Sequence, residues 1–192
     1  MKNLFTPILN HSTWCIIFCS LLFGFSSNAQ NREIDIANQY YQQGEFEKAK
    51  IVYEKLSKKT GNIPLLHTNY LNTLFELQAW KDAEKYLKNV MKRLPEDLSY
   101  KIDYGLVLKK QQRDSEAKKT FEKVVNGIKY TNVNTAANTF IKYGMYGYAE
   151  STYLKLRKAS KSDILFYQQL AALYIVQVKT EAMINELLNV LQ

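Results

Sequence analysis

The chain has 192 residues, of which 46% are hydrophobic and 13% aromatic, with only three prolines and seven glycines. That composition excludes a disordered, collagen-like or low-complexity chain and gives enough apolar surface for a substantial core. Two cysteines rule out a disulfide framework, and a net charge of +8 reads as a solvated lysine-rich face or as a seat for an acidic partner.

Residues 1–29 read as a targeting segment. Lys2 gives a positive start, and Trp14 to Phe25 is a dense apolar run. The run has the length of a signal-peptide core and is short for a membrane span. Ser27, Asn28 and Ala29 put small residues where a signal peptidase reads, so cleavage would leave Gln30 at the new N-terminus. The Asn-Ala-Gln junction resembles those of exported proteins from Bacteroidetes-type bacteria. The competing reading is an uncleaved anchor from Leu4 to Phe25, interrupted by Asn10, His11, Ser12 and Thr13. That anchor would be the protein's one membrane contact. Both cysteines, Cys15 and Cys19, lie in this segment behind Trp14 and Phe18, which argues against lipidation. Removing the segment takes one lysine and no acid, so the basic excess survives.

The rest, residues 30–192, reads as helices in pairs. Ala49, Ala83, Ala117, Ala149 and Ala182 stand at steps of 34, 34, 32 and 33 residues. A period of that size marks a stacked repeat array; an ordinary helical bundle has no reason to keep it. In the first unit Ile36, Ala37 and Tyr40 form one apolar stripe. Gly44 and Glu45 break it, and Phe46, Ala49, Val52, Tyr53 and Leu56 form the next. The second unit runs Tyr70-Leu71-Leu74, then Trp80-Ala83-Leu87-Val90, and closes at Leu94-Pro95. The third runs Tyr104-Gly105-Leu108, then Ala117-Phe121-Val124. The fourth runs Ala137-Phe140-Gly144, then Tyr146-Ala149-Tyr153-Leu156. The fifth runs Leu170-Ala171-Tyr174, then Ala182-Leu187-Val190, with a turn one residue shorter than the others. Turns are expected near Gly44–Glu45, Gln78–Ala79, Gln112–Arg113 and Gly144–Met145, and the repeat alanines are expected to be buried.

Tyr40, Gly44, Phe46, Ala49 and Tyr53 resemble the marks of the tetratricopeptide repeat, a 34-residue helix–turn–helix unit. The early tryptophan of that motif is replaced by Glu33, His67, Lys101 and Val133, and its closing proline survives as Pro95 alone. The resemblance implies an all-α, right-handed α-solenoid of about five repeats, near 30–63, 64–97, 98–130, 131–162 and 163–192. It also implies a concave groove lined by the first helix of each unit. The groove positions fall on Asn38, Tyr41 and Gln42, then Asn72, Phe75 and Glu76. They continue with Leu106, Lys109 and Lys110, then Asn138, Ile141 and Lys142. Asparagine there suits an extended peptide, because its amide both donates and accepts. The family's clamp for a C-terminal carboxylate is lost. Asn38 and Asn69 stand at its asparagines, but Ile34, Ser99 and Asp103 stand where its cations belong. An anion there would be desolvated unpaired.

Signals for chemistry are lacking. After residue 29 the sequence has one histidine, His67, expected on the surface of the third helix, and no cysteine. No metal-ligand spacing or phosphate loop appears, so neither metal nor cofactor is implied. Ser99 and Ser115 fit helix starts, Ser57 has no histidine at motif distance, and Glu47–Lys50, Glu54–Lys58 and Glu84–Lys88 read as ordinary helix pairs. Tyr40, Tyr53, Tyr70, Tyr104, Tyr153 and Tyr174 are expected in the core; Tyr41, Tyr143 and Tyr148 are expected to face solvent or a partner.

These features imply a non-enzymatic scaffold or adaptor for a protein or peptide partner, in the periplasm or outer envelope of a Gram-negative bacterium. The alternative is a repeat domain of a longer envelope protein whose activity lies downstream. Nucleic acid is not an expected partner of an exported chain. The scattered lysines read either as a solvated face or as a seat for an acidic partner: a polyanionic sugar, lipid headgroups or an acidic protein segment. In the last helix Ile184, Leu187, Leu188 and Leu191 share one face. A repeat array needs a polar final face, so either the natural chain continues past Gln192 or this end docks on another subunit.

Overall fold

The computed structural model describes residues 32–191, which are helical and contain no strand. The expected leader over residues 1–29 lies outside the described residues. The helices are α1 (32–42), α2 (Phe46–Leu56), α3 (Ile63–Glu76), α4 (Trp80–Arg93) and α5 (Ser99–Lys110). They continue with α6 (Asp114–Asn126), α7 (Val133–Lys142), α8 (Tyr146–Ser160), α9 (Tyr167–Val176) and α10 (Thr180–Leu188). A 3₁₀ turn, Thr60–Asn62, precedes α3. The chain divides into two compact units between Gln78 and Ala79.

One turn recurs. Gly44, Gln78, Gln112, Gly144 and Val178 all have positive φ, between 51° and 74°. Each is followed by one linking residue and then a new helix. The linking N–H reaches back five residues to the closing turn of the helix before it. Glu45 donates to Tyr40 O, Arg113 to Leu108 O, Met145 to Phe140 O and Lys179 to Tyr174 O, all at 2.9 Å. This satisfies a carbonyl the helix would otherwise leave open. The four expected turns fall where the spacing puts them. Gly44 and Gly144 take the left-handed conformation without a Cβ penalty, whereas Val178 does so with a branched side chain that is 84% exposed.

The same bonds correct the register of the fifth unit. The carbonyl of each linking residue accepts from the residue four on: Ala49, Ala83, Ala117, Ala149 and then Met183. Met183, not Ala182, stands at the repeat position, and the fifth turn is as long as the others. Ala49, Ala83, Ala117 and Ala149 are buried as expected, while Ala182 is only half-buried.

The second helices are amphipathic. α4 buries Ala83, Tyr86, Leu87 and Val90 and gives its other face to lysines. The first helices bury more of their circumference. α5 hides Tyr100, Ile102, Asp103, Gly105, Val107 and Leu108, because it packs against α4, α6 and α7. Gly105 is there for space: a Cβ would lie within 2.3 Å of the Phe121 ring on α6. Ends follow local chemistry. Pro64 opens α3, and α4 stops before Pro95. Ser99 opens α5 as expected, although its backbone N–H is capped by Asp97 at 2.9 Å.

Several placements differ from expectation. Ile36 is 44% exposed, Tyr40 and Tyr104 are half-buried, and His67 is half-buried on α3 rather than at the surface. Tyr148 is half-buried: it stacks on Phe140 at 5.3 Å and lies 5.1 Å from Phe121, with the rest of its ring towards a cavity.

Ala83→Arg should destabilise the protein by about 3 kcal/mol or more, through overpacking and a buried charge. A thermal melt unchanged by this substitution would refute the register. Val178→Gly should act in the other direction. Releasing a branched residue from left-handed backbone is worth about 1 kcal/mol, raising Tm by about 2–4 °C in a chain of this length.

Candidate functional site

The groove positions are best taken unit by unit. In the compact unit that ends at Gln78, Gln42 is exposed and Asn38, Tyr41, Asn72 and Phe75 are half-buried. Asn38 is committed to internal structure. Its Oδ1 accepts from Tyr53 Oη at 2.7 Å and from Asn69 Nδ2 at 2.8 Å, tying α1, α2 and α3 together. Its acceptor is therefore already engaged. Burial pushes the Tyr53 phenol up to about 12, with Asn69 acting in the opposite direction. Tyr41 lies 5.8 Å from Phe46 and so shares its ring between packing and solvent.

In the compact unit that begins at Ala79, Lys109, Lys110, Asn138 and Lys142 are all exposed. The Lys142 ammonium lies 5.2 Å from the centre of the Tyr143 ring. Tyr143 itself turns inward. Its hydroxyl donates to Asp103 Oδ1 at 2.5 Å, joining α5 to the end of α7. Burial first, then the Asp103 charge and hydrogen bond, raise the Tyr143 phenol above its usual range. Asp103 is 4% exposed and its carboxylate is engaged by the tyrosine.

Lys109 also lines a cavity of about 640 Å³ with Asp114, Lys118, Phe121, Met145 and Tyr148. The cavity follows α6, α8 and the turn before α8, and Lys109 alone of the proposed groove residues reaches it. Its lining offers aromatic surface beneath two ammonium groups and one carboxylate. That suits an apolar side chain with negative charge nearby and holds no nucleophile–base pair. Among the described residues no group of three or more His, Cys, Asp or Glu could hold a metal, and no helix is long and apolar enough to cross a membrane.

Glu84 has more to do than the ordinary helix pair expected of it. It does meet Lys88, at 2.7 Å. It also accepts from Gln111 Nε2 at 3.0 Å and Arg113 Nη1 at 3.0 Å, fastening α4 to the turn between α5 and α6. Arg113 holds Glu116 at the same time, through Nε and Nη2 at 2.8 Å each. The arrangement recurs one pair of units later: Glu150 on α8 accepts from Lys179 in the turn between α9 and α10 at 2.9 Å, and from Tyr174 Oη at 3.1 Å. Glu150 and Lys179 stand in the same register as Glu84 and Arg113. A third anchor, bidentate, joins Arg157 of α8 to Glu186 of α10 at 2.8 and 2.7 Å. Arg157 Nε also holds Leu165 O at 2.7 Å. Single-unit periodicity did not reveal these seams, because their partners lie about 29 residues apart on different units. The available signal was an acid in one second helix with a cation in the turn that follows it.

No protein-family model and no curated protein matches this chain. The functional reading therefore rests on the residues themselves.

Burial opposes ionisation of Glu84, but hydrogen bonds from Lys88, Gln111 and Arg113 outweigh it and bring the carboxyl down to about 2. A depressed carboxyl stabilises the fold above its unfolded value, and that contribution is lost as pH falls through the folded one. Acid titration followed by circular dichroism should show stability declining from about pH 4.5 towards pH 2. Glu84→Gln should be less stable at neutral pH and show a flatter decline. An unchanged acid profile in that variant would mean Glu84 is not the seam.

Proposed function

We propose that this chain is an exported array of five tetratricopeptide-like repeats, stacked as a right-handed α-solenoid, that holds a protein or peptide partner in the bacterial envelope. The observation that carries the reading is the recurring turn. A left-handed residue, one linking residue and a new helix come five times, with four buried alanines and Met183 at equivalent positions. The repeated seam supports stacking of like on like, since Glu84 takes Arg113 and Glu150 takes Lys179. Export rests on the character of residues 1–29, read from sequence.

The partner would meet two kinds of surface. Gln42, Tyr41 and Asn72 offer amides and an aromatic ring for an extended peptide. Lys109, Lys110 and Lys142 offer exposed ammonium groups for an acidic segment. Neither surface carries the groups a reaction needs, so the proposed role is binding without catalysis.

The test is capture from envelope extracts by the purified protein. One protein recovered in stoichiometric amount is the expected result. Lys109→Glu with Lys110→Glu should weaken that capture about ten-fold at low salt, with a smaller difference in high salt. Tyr41→Ala with Asn72→Ala should weaken it at all salt concentrations while helicity is kept. Capture unchanged by both double variants would refute the groove.

A further inference from the structure

The cavity along α6 and α8 has a glycine in its wall that the backbone does not require. Gly147 is the second residue of α8 and, unlike Gly44 and Gly144, has no positive φ. A Cβ there would meet nothing within 4 Å, so close packing does not require it either. Glycine weakens a helix, and its effect here is open space in the cavity wall.

The register of the turns shows that this space is particular to the fourth helix pair. Gly147 stands with Glu47, Lys81, Ser115 and Glu181, each two residues past its linking residue. Four residues on, Ser151 stands with Ile51, Lys85, Lys119 and Asn185. All of these positions are exposed, and α8 has the smallest pair of side chains at them. Ser151 turns its hydroxyl back to donate to the Gly147 carbonyl at 2.7 Å. The other wall is aromatic and held in place. The Phe121 ring lies against Gly105, and Tyr148 stacks on Phe140. The walls are therefore formed before anything enters between them.

Size and charge narrow the ligand. A cavity of about 640 Å³ has the dimensions of a small-molecule site. Phe121, Met145 and Tyr148 line it with flat and polarisable apolar surface, which suits an aromatic ring. Lys109 and Lys118 stand against one carboxylate, Asp114, and so leave a single positive charge in the lining. Lys118 also meets Glu122 at 4.0 Å, whereas Lys109 is exposed and makes no ion pair among the described residues. That balance matches a singly charged anion. A dianion would bring a second negative charge towards Asp114.

We propose that this cavity binds a small aromatic carboxylate, with its ring against Phe121, Met145 and Tyr148 and its carboxylate on the Lys109 ammonium. The cavity shares only Lys109 with the proposed groove. Its wall residues Gly147 and Tyr148 belong to the second helix of their pair, and the groove positions to first helices.

Titration of the purified protein with naphthylacetate, followed by heteronuclear NMR, tests it. Saturable shifts are expected on Gly144, Gly147 and Tyr148. The neutral naphthylacetamide should bind about five-fold more weakly, and so should the acid to Lys109→Met. Lys158→Met removes an exposed charge elsewhere on α8 and should leave the affinity as it is. Gly147→Leu should weaken binding about ten-fold or more. Its Tm should be kept or raised, because the added side chain fills the cavity without meeting a neighbour. Shifts absent at millimolar acid or confined to α10, equal affinity for acid and amide, or undiminished binding to Gly147→Leu would each overturn the inference. So would tighter binding of naphthyl phosphate, a dianion. Gly147→Leu touches no groove position, so a failed titration and a failed capture from envelope extracts are distinguishable.

Discussion

The left-handed residue that ends a first helix is the constraint on which the rest of this structure depends. It lets the very next N–H reach back to a carbonyl near the helix end, as Glu45 does to Tyr40 and Met145 does to Phe140. That bond determines where the second helix begins. The start of the second helix determines which residue comes fourth along it, and that residue is Ala49, Ala83, Ala117, Ala149 or Met183. Where that residue is alanine, its small side chain lets the partner helix lie close. Glycine fills the turn twice, glutamine twice and valine once, so the turn is maintained by the packing around it even where its residue is unfavourable.

Close approach then has its own chemistry. Gly105 lies against Phe121, and Phe121, Phe140 and Tyr148 form an aromatic group in the second unit. Polar groups drawn into these contacts are paired: Asn38 with Tyr53 and Asn69, Asp103 with Tyr143, Arg157 with Glu186. Pairing is required, since an unsatisfied polar group in such a contact costs more than the contact gains. The consequence for function is a division of labour. Most tyrosines and two of the most suggestive polar residues, Asn38 and Asp103, hold the fold. The side chains left for the proposed partner are Gln42, Asn72, part of Tyr41 and the lysines.

The lysines and the α10 stripe are opposite solutions to exposure. Lys109, Lys110 and Lys142 keep their charges in water and attract over distance. Ile184, Leu187 and Leu188, exposed on α10, are unfavourable in water and are relieved by contact.

Helix positions, the four glycine- and glutamine-bearing turns and the buried alanines of the first four units follow from local periodicity, which a sequence displays directly. The apolar residues Ile184, Leu187 and Leu188 of α10 are also legible there, because they repeat within a single helix, whereas Leu191, expected on the same face, lies past the helix end. The fifth register is not. Spacing favours Ala182 by its small side chain, while the backbone bond from Met183 to Lys179 puts methionine in the position. Nor are the inward turn of Tyr143, the stacking of Tyr148 or the engagement of Asn38 legible, since each depends on a partner from another helix. Glu84 makes the physical reason plain. Its contact with Lys88 lies four residues along the same helix and is visible in sequence. Its contacts with Gln111 and Arg113 exist only because α4 and the α5–α6 turn are brought together by packing, and that is a tertiary decision.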